Sequence, residues 1–348
     1  VVQADYGATL RAIAAKGSAE FYRGAIAARV AGYLESQGGI LEASDLASYA
    51  AHEDTPISTT YKGIELYECP PNSQGFVMLQ ALNILEGMNV RDMRHNSAPY
   101  LHTVAEALKL AFADRNRYVG DPKFVPPIPM RELLSKDYAA KRRALIDPGR
   151  AIDGEPPPGA VSSAMSSARY SGPQPVPPLD PAPPVEGHTT YLAVVDKDRN
   201  MVSITSSLLS GFGSGHVAEG AGFFLNNRMA YFSLEPDDVN VLKPGKRPRH
   251  TINPALALKD GKPYMVFGTP GADTQPQAQL QFFLNVVEFG MNVQQALESD
   301  AVISSSFRSS YYPHAIGDKL QVPATLPEHV RAELAALGHQ VDVRNVRG

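Results

Sequence analysis

An α+β fold class is predicted for this chain, on three observations. Residues 1–150 alternate helical and strand periodicities, residues 151–188 break sharply in composition, and a new strand begins at Thr189 without any spacer. The 348 residues, 43% of them hydrophobic, suffice for one large core or two coupled ones. The breaks divide the chain into segments 1–150, 151–188 and 189–348.

In the first segment, VVQADYGATLRAIAAKG reads as an amphipathic helix entering mid-fold, not as a signal peptide. Ile64 to Cys69 is a short strand closed by Pro70-Pro71, and Ser73 starts a helix carrying Val77, Leu79, Leu82 and Leu85. Leu101, Val104, Ala105, Leu108 and Phe112 recur at helical spacing behind the cap candidates Asn96 and Ser97, with Pro99 early in the helix. The second segment, Ala151 to His188, holds ten of the chain's 29 prolines in 38 residues. Such a stretch buries too little apolar surface to offset its ordering entropy, and alone it reads as a linker.

The third segment opens with TTYLAVVDKDRNMVSITSS, two runs of period-two alternation around the turn residues Asp198 and Asn200. Leu192, Val194, Val202 and Ile204 form an apolar face, whereas Thr189, Ala193, Ser203, Thr205 and Ser207 form a face of small or hydroxylated residues. Only an odd-with-odd register keeps the apolar face unmixed, and it sets Ser207 opposite Thr189. Ala255–Leu258 and Tyr264–Phe267 flank a hairpin turn at Asp260-Gly261. The second of these strands runs into Gly268-Thr-Pro-Gly-Ala-Asp273 and then a helix with Leu280, Phe283, Leu284 and Val287 on its buried stripe. A glycine loop between strand end and helix start offers free N–H groups at a positive dipole end. A last helix, Glu328 to Leu337, stops at Gly338 before a short strand near Val341.

Several chemistries are disfavoured. The net charge of −4 attracts neither nucleic acid nor acidic membrane, and the one basic run, Lys243 to His250, reads as a solvated loop. Cys69 is alone, so no intrachain disulfide or paired-cysteine metal site forms; a lone cysteine fits an exported or a cytosolic protein alike. No apolar run is long enough to span a bilayer. Ser214 sits in the wrong frame for a nucleophile elbow, and the surrounding glycines complete neither a phosphate loop nor a dinucleotide fingerprint. His52-Glu53-Asp54 reads as a polar turn, no ligand spacing of the HExxH kind occurs, and no metal or cofactor is expected.

The plain reading of Thr189-Thr190 is two β-branched residues starting a strand. Their position after a long loop permits another, since the Thr189 hydroxyl can reach the carbonyl of His188. Attack there gives an ester, and its hydrolysis frees Thr189 as an N-terminus. Its α-amine, with a pKa of about 8, can then serve as base for its own hydroxyl, which Ser207 would hold.

These residues resemble the γ-glutamyltranspeptidase family. GHTTYLAVVDKDRN followed by Ser207 is similar to the start of its small subunit, as are FGSG at 212–215, LNN at 225–227, KRPRHTINP at 246–254 and GTPG at 268–271. EFYRG at 20–24, TPIS at 55–58, PPNSQG at 70–75, LNILEG at 82–87 and ADRNRYVGDPKF at 113–124 resemble its large subunit. The resemblance implies the four-layer αββα sandwich of N-terminal-nucleophile hydrolases. It also implies cleavage before Thr189 of one precursor whose large and small fragments stay together, a small-molecule γ-glutamyl or related amide substrate, and an amine or water acceptor. Much of the family is periplasmic or extracellular, with the cytoplasm as the alternative. Against the family pattern the chain begins midway through the large subunit and stops short of the usual C-terminus, so the arginine that holds the substrate α-carboxylate is not assigned.

Residue by residue, the resemblance makes Thr189 the nucleophile, Ser207 its supporting hydroxyl in place of threonine, and Gly271 and Ala272 the oxyanion hole. Ala272 departs from glycine, and its methyl is expected only at negative φ. In the substrate-binding region Leu209 stands for an asparagine, Arg228 for a glutamine, Tyr231 for the aspartate that binds the substrate ammonium, and His250-Thr251 for a Ser-Ser pair. A buried ammonium without its counter-charge is costly. Arg228 and His250 therefore point to an acid-bearing acyl group lacking that amine, unless both are simply surface residues. Three readings stand: a glutathione hydrolase-like γ-glutamyltransferase, an acylase for glutaryl or other dicarboxylic monoamides, and an inactive relative with a binding role.

Overall fold

The computed structural model describes residues 2–161 and 187–344, so most of the proline-rich segment, 162–186, lies outside the described residues. The chain separates into two compact units, Val1–Asp54 with Ser207–Arg228, and Thr55–Ser206 with Met229–Gly348. These are units of compactness, whereas the boundaries expected at 150 and 188 rest on the proline-rich composition of the segment between them.

The first unit carries α1 (Ala4–Lys16), α2 (Ser18–Tyr22), α3 (Ala25–Ser36) and α4 (Ala43–Ser48). Its small core joins Ile26 and Val30 of α3 to Ala218 and Ala221 of the returning segment. The Thr9 hydroxyl donates to the carbonyl of Ala221 at 2.8 Å, and Thr9 is the only residue of α1 that is fully buried. The chain approaches α1 so closely that a Cβ on Gly222 would lie 2.2 Å from the Tyr6 nitrogen. Its φ of +73° likewise requires glycine there.

The second unit begins with β1 (Ile57–Tyr61), β2 (Ile64–Glu68), α5 (Phe76–Glu86), α6 (Ala98–Tyr118), α7 (Met130–Leu133) and α8 (Lys136–Arg143). Next come β3 (Gly187–Val195) and β4 (Met201–Ser210), β4 ending in the first unit. After them follow β5 (Ala255–Lys259), β6 (Lys262–Phe267), α9 (Gln275–Val287), α10 (Val293–Glu298), β7 (Ile303–Ser304), β8 (Leu320–Pro323), α11 (Glu328–Ala336) and β9 (Val341–Arg344). An antiparallel sheet runs β1-β2-β5-β6. A second sheet runs β7-β8-β9, with β8 and β9 parallel.

Helix α5 is apolar nearly all round and is buried except at Glu86, as a central helix must be. It starts three residues later than expected from Ser73. The reason is that Ser73 and Gln74 first pair with a neighbouring segment, the Gln74 N–H donating to the carbonyl of His250 at 3.1 Å. Helix α6 begins where the cap pattern placed it: the Ser97 hydroxyl accepts the N–H of Tyr100. It is buried over most of its length although it carries His102, Glu106, Lys109, Asp114 and Arg115. Each of these therefore needs an internal partner.

Strands β3 and β4 form a two-stranded sheet. The Asp196 N–H meets the carbonyl of Asn200 at 3.1 Å, the pair that an odd-with-odd register brings together at the turn. Their alternation is inverted relative to a core-facing ribbon, since the hydroxylated face is the covered one. Leu192, Val194, Val202 and Ile204 are 43%, 52%, 46% and 42% exposed.

Candidate active site

Thr189 is the third residue of β3 and is partly buried. Two residues on, Tyr191 shares the hydroxylated face with Ser203, their hydroxyls 2.9 Å apart. The Ser203 hydroxyl in turn reaches the carbonyl of Phe267, at the end of β6. The next residue, Gly268, lies under the Tyr191 ring so closely that a Cβ would fall 2.3 Å from Cε2. Packing thus joins the strand bearing Thr189 to the start of the glycine loop.

In that loop Gly271 has φ +122° and Ala272 φ +51°. The expectation of a negative φ at Ala272 is overturned: the alanine takes the left-handed conformation that glycine adopts without cost. The carbonyl of Gly271 accepts from the Thr274 N–H at 2.9 Å and the Thr274 hydroxyl at 2.7 Å. Peptide geometry then aims the Ala272 N–H the opposite way. On the far side of Ala272, Gln74 donates to its carbonyl at 3.0 Å and Arg115 binds the carboxylate of Asp273 at 2.6 Å.

The remaining residues named from the sequence fall in two groups. In the first unit, the Ser207 hydroxyl accepts the N–H of Leu209 at 3.0 Å, and Leu209 is buried with φ +83°. Asn227, from the LNN run, accepts the N–H of Ser210 at 3.2 Å and donates to its hydroxyl at 2.9 Å. The Arg228 N–H is held by the side chain of Asn226. In the second unit Tyr231 is fully buried, with its hydroxyl 2.8 Å from that of Thr251. His250 pairs with the 70–75 motif through Asn72 and Gln74. So PPNSQG and RHTINP, distant in sequence, are one structural feature.

Sequence reasoning missed the polar groups beneath this surface. Arg249 is buried, and burial beside the Arg115 cation pushes its guanidinium down to about 10. Glu68 is buried at the end of β2, and burial pushes its carboxyl well above the usual range, against the opposing pull of Asn253 and the Cys69 backbone. On α6, His102 and Glu106 meet His339, with donor atoms within 4.8 Å of one another, the only such grouping among the described residues. The Lys109 ammonium sits 2.7 Å from Glu106 and already supplies the positive charge a cation would bring. The i, i+4 spacing of His102 and Glu106 was the one visible signal.

A family model described as γ-glutamyltranspeptidase matches residues 1–348. The chain belongs to the γ-glutamyltranspeptidase family. It is 38% identical over 312 residues to a glutathione hydrolase proenzyme of Pseudomonas sp. strain A14, covering 86% of this chain and 50% of that protein. To the acylase ACY 1 proenzyme of Pseudomonas sp. strain SE83 it is 34% identical over 349 residues, covering 100% and 56%. Among solved structures it matches cephalosporin acylase from Bacillus halodurans with a TM-score of 0.82 and 35% identity, over 98% of this chain and 56% of that one. The chain therefore spans roughly half the length of these family members, and its fold is that of the N-terminal-nucleophile hydrolases. Among the described residues no helix is long and apolar enough to cross a membrane.

Proposed function

We propose that this chain carries the catalytic strand of an amidase that cuts itself before Thr189 and then forms an acyl-enzyme on the Thr189 hydroxyl. One observation carries the reading: Thr189 stands third in β3, a strand that Tyr191 ties to Gly268, the entry to a loop whose Ala272 N–H is aimed by the pinned Gly271 carbonyl. After cleavage the α-amine of Thr189 takes the hydroxyl proton as the oxygen attacks the substrate amide. The N–H groups of Gly271 and Ala272 receive the developing oxyanion, a contribution of about 3 kcal/mol for such a donor. Collapse expels the amine, which takes the proton, and water or a second amine resolves the ester. Ser207 is assigned as the supporting hydroxyl, and large and small fragments remain together.

For the acyl group we favour a glutaryl-like acid without an α-amine over a γ-glutamyl group. Where the family carries an asparagine and an aspartate, this chain has apolar Leu209 and Tyr231, whose hydroxyl is engaged by Thr251. Neither supplies a carboxylate to an ammonium. A charged group left unpartnered costs about 1–3 kcal/mol or more, which is roughly tenfold to over a hundredfold in kcat/KM. Arg228 and His250 suit the acid. The likeness to acylases at 34% identity and a TM-score of 0.82 supports this choice.

Intact mass of the purified protein tests the first step, with a small fragment starting TTYLAVV expected and Thr189→Ala remaining whole. An uncut, active chain would remove the mechanism. Comparing kcat/KM for γ-glutamyl and glutaryl anilides tests the second, with Tyr231→Asp measured alongside. A tenfold preference for the γ-glutamyl compound by the unaltered enzyme restores the transpeptidase reading, and processing without turnover of either restores the binding role.

A further inference from the structure

Arg115 lies in the last turn of α6, fully buried, with Phe112 stacked against its guanidinium 4.6 Å away. Its Nη1 donates to Gln74 Oε1 at 2.6 Å, to Asp273 Oδ1 at 2.6 Å and to the Ser310 hydroxyl at 3.1 Å. Its Nη2 donates to the Asn116 side chain and to the carbonyl of Arg308, both at 2.9 Å. The Gln74 amide that accepts from Arg115 also donates to the carbonyl of Ala272. Asp273, covalently next to Ala272, receives the Ser310 N–H at 2.7 Å and its hydroxyl at 2.6 Å. The result is a closed ring: Arg115 to Gln74, Gln74 to Ala272, Ala272 through the chain to Asp273, and Asp273 back to Arg115.

This ring encloses a residue held at φ +51° without being glycine. Backbone in that region persists where its surroundings over-determine it. Thr274 fixes the peptide plane before Ala272, and Gln74 with Asp273 fixes the one after it. With both planes pinned, the N–H of Ala272 keeps one direction with no substrate present. Catalysis by such donors depends on that pre-organisation, because a donor that must reorient gives back much of what it contributes. A buried Arg–Asp pair with further hydrogen bonds on both ions is a costly way to stabilise a core. Its place beside this loop is the use that accounts for it.

We infer that Gln74 and Arg115 are positioning residues for the oxyanion loop, acting on the transition state through Ala272 without touching substrate. The inference rests on the proposed role of Gly271 and Ala272. The test is steady-state kinetics of Gln74→Glu and Arg115→Lys on whichever anilide the unaltered enzyme turns over, with the rate of self-cleavage followed by mass. Gln74→Glu keeps an acceptor for Arg115 but sets a carboxylate against the Ala272 carbonyl. We expect kcat to fall about 10- to 100-fold with KM changed less than about threefold, short of the 10²–10³ seen when such a donor is deleted. Arg115→Lys, which keeps the charge and loses the fork, is expected to lose less than Arg115→Met. Self-cleavage should slow in the same order. Unchanged kcat in Gln74→Glu, or a loss confined to KM, overturns the inference while inactive Thr189→Ala leaves the nucleophile standing. Should the Gln74 and Arg115 variants fail to fold, Ser310→Ala decides by the same split, since it removes one donor from Asp273 and leaves the buried pair in place.

Discussion

At the scale of single residues, Ala272 and Leu209 both occupy left-handed backbone, and magnitudes separate them. Ala272 at φ +51° bears a strain of about 1–2 kcal/mol, and its methyl contributes little burial. Ala272→Gly relieves that strain at a cost of about 0.4–1 kcal/mol in unfolded-chain entropy. We expect a net gain of several tenths to about 1 kcal/mol, read as a small rise in Tm. A lower Tm would show that the methyl is a needed contact. Leu209 has φ +83° but is almost wholly buried. Truncating it loses about 1.5–3 kcal/mol of apolar transfer before any cavity is counted, so Leu209→Gly is expected to lower Tm despite equal relief. Both positions were legible in the sequence as departures from the family pattern. The sign of φ was not, because that pattern speaks of residue type and not of torsion.

At the scale of elements, α6 organises the second unit, and its first turn is held by the Ser97 hydroxyl on the Tyr100 N–H. Ser97→Ala should cost about 1 kcal/mol, seen as a lower denaturant midpoint at unchanged m; an unchanged midpoint would mean that packing alone sets the start of the helix. That helix, α9 and the β5–β6 hairpin could be read from the sequence because apolar spacing, a cap residue and Asp260-Gly261 are local signals. The start of α5 could not, since Ser73 and Gln74 are drawn into pairing with His250, a partner remote in sequence. The ring through Gln74, Arg115, Asp273 and Ser310 escaped for the same reason: hydrogen bonds between buried polar side chains leave no period behind. What the sequence did offer was the motifs themselves: PPNSQG contributes Gln74, ADRNRYVGDPKF contributes Arg115, and GTPG ends one residue before Ala272.

Across the whole molecule, buried titratable groups limit stability from both sides. His339, beside His102 and Lys109 with Glu106 nearby, is pushed by burial from an ordinary 6.5 down to about 3. Between those values the unfolded chain takes up a proton that the folded one refuses, so stability falls as pH drops through that window. Glu68 works in the opposite sense. Its folded carboxyl stays protonated above its ordinary range, so stability falls as pH rises past about 4.5, where the unfolded carboxyl ionises. Asp114, also pushed up by burial, adds to that limb. Thermal melts across pH should show His339→Asn flattening the acid side and Glu68→Gln the alkaline side; parallel curves for variant and parent would assign the limbs to other groups. The outward apolar face of the β3–β4 ribbon bears on the colloidal behaviour of the chain. Leu192, Val194, Val202 and Ile204 offer water a contiguous oily strip of β-branched and leucine side chains, the composition that favours face-to-face association between copies. Solutions of this chain should scatter more light per molecule as concentration rises, and Val202→Thr with Ile204→Thr should suppress that rise while leaving the melting temperature nearly unmoved.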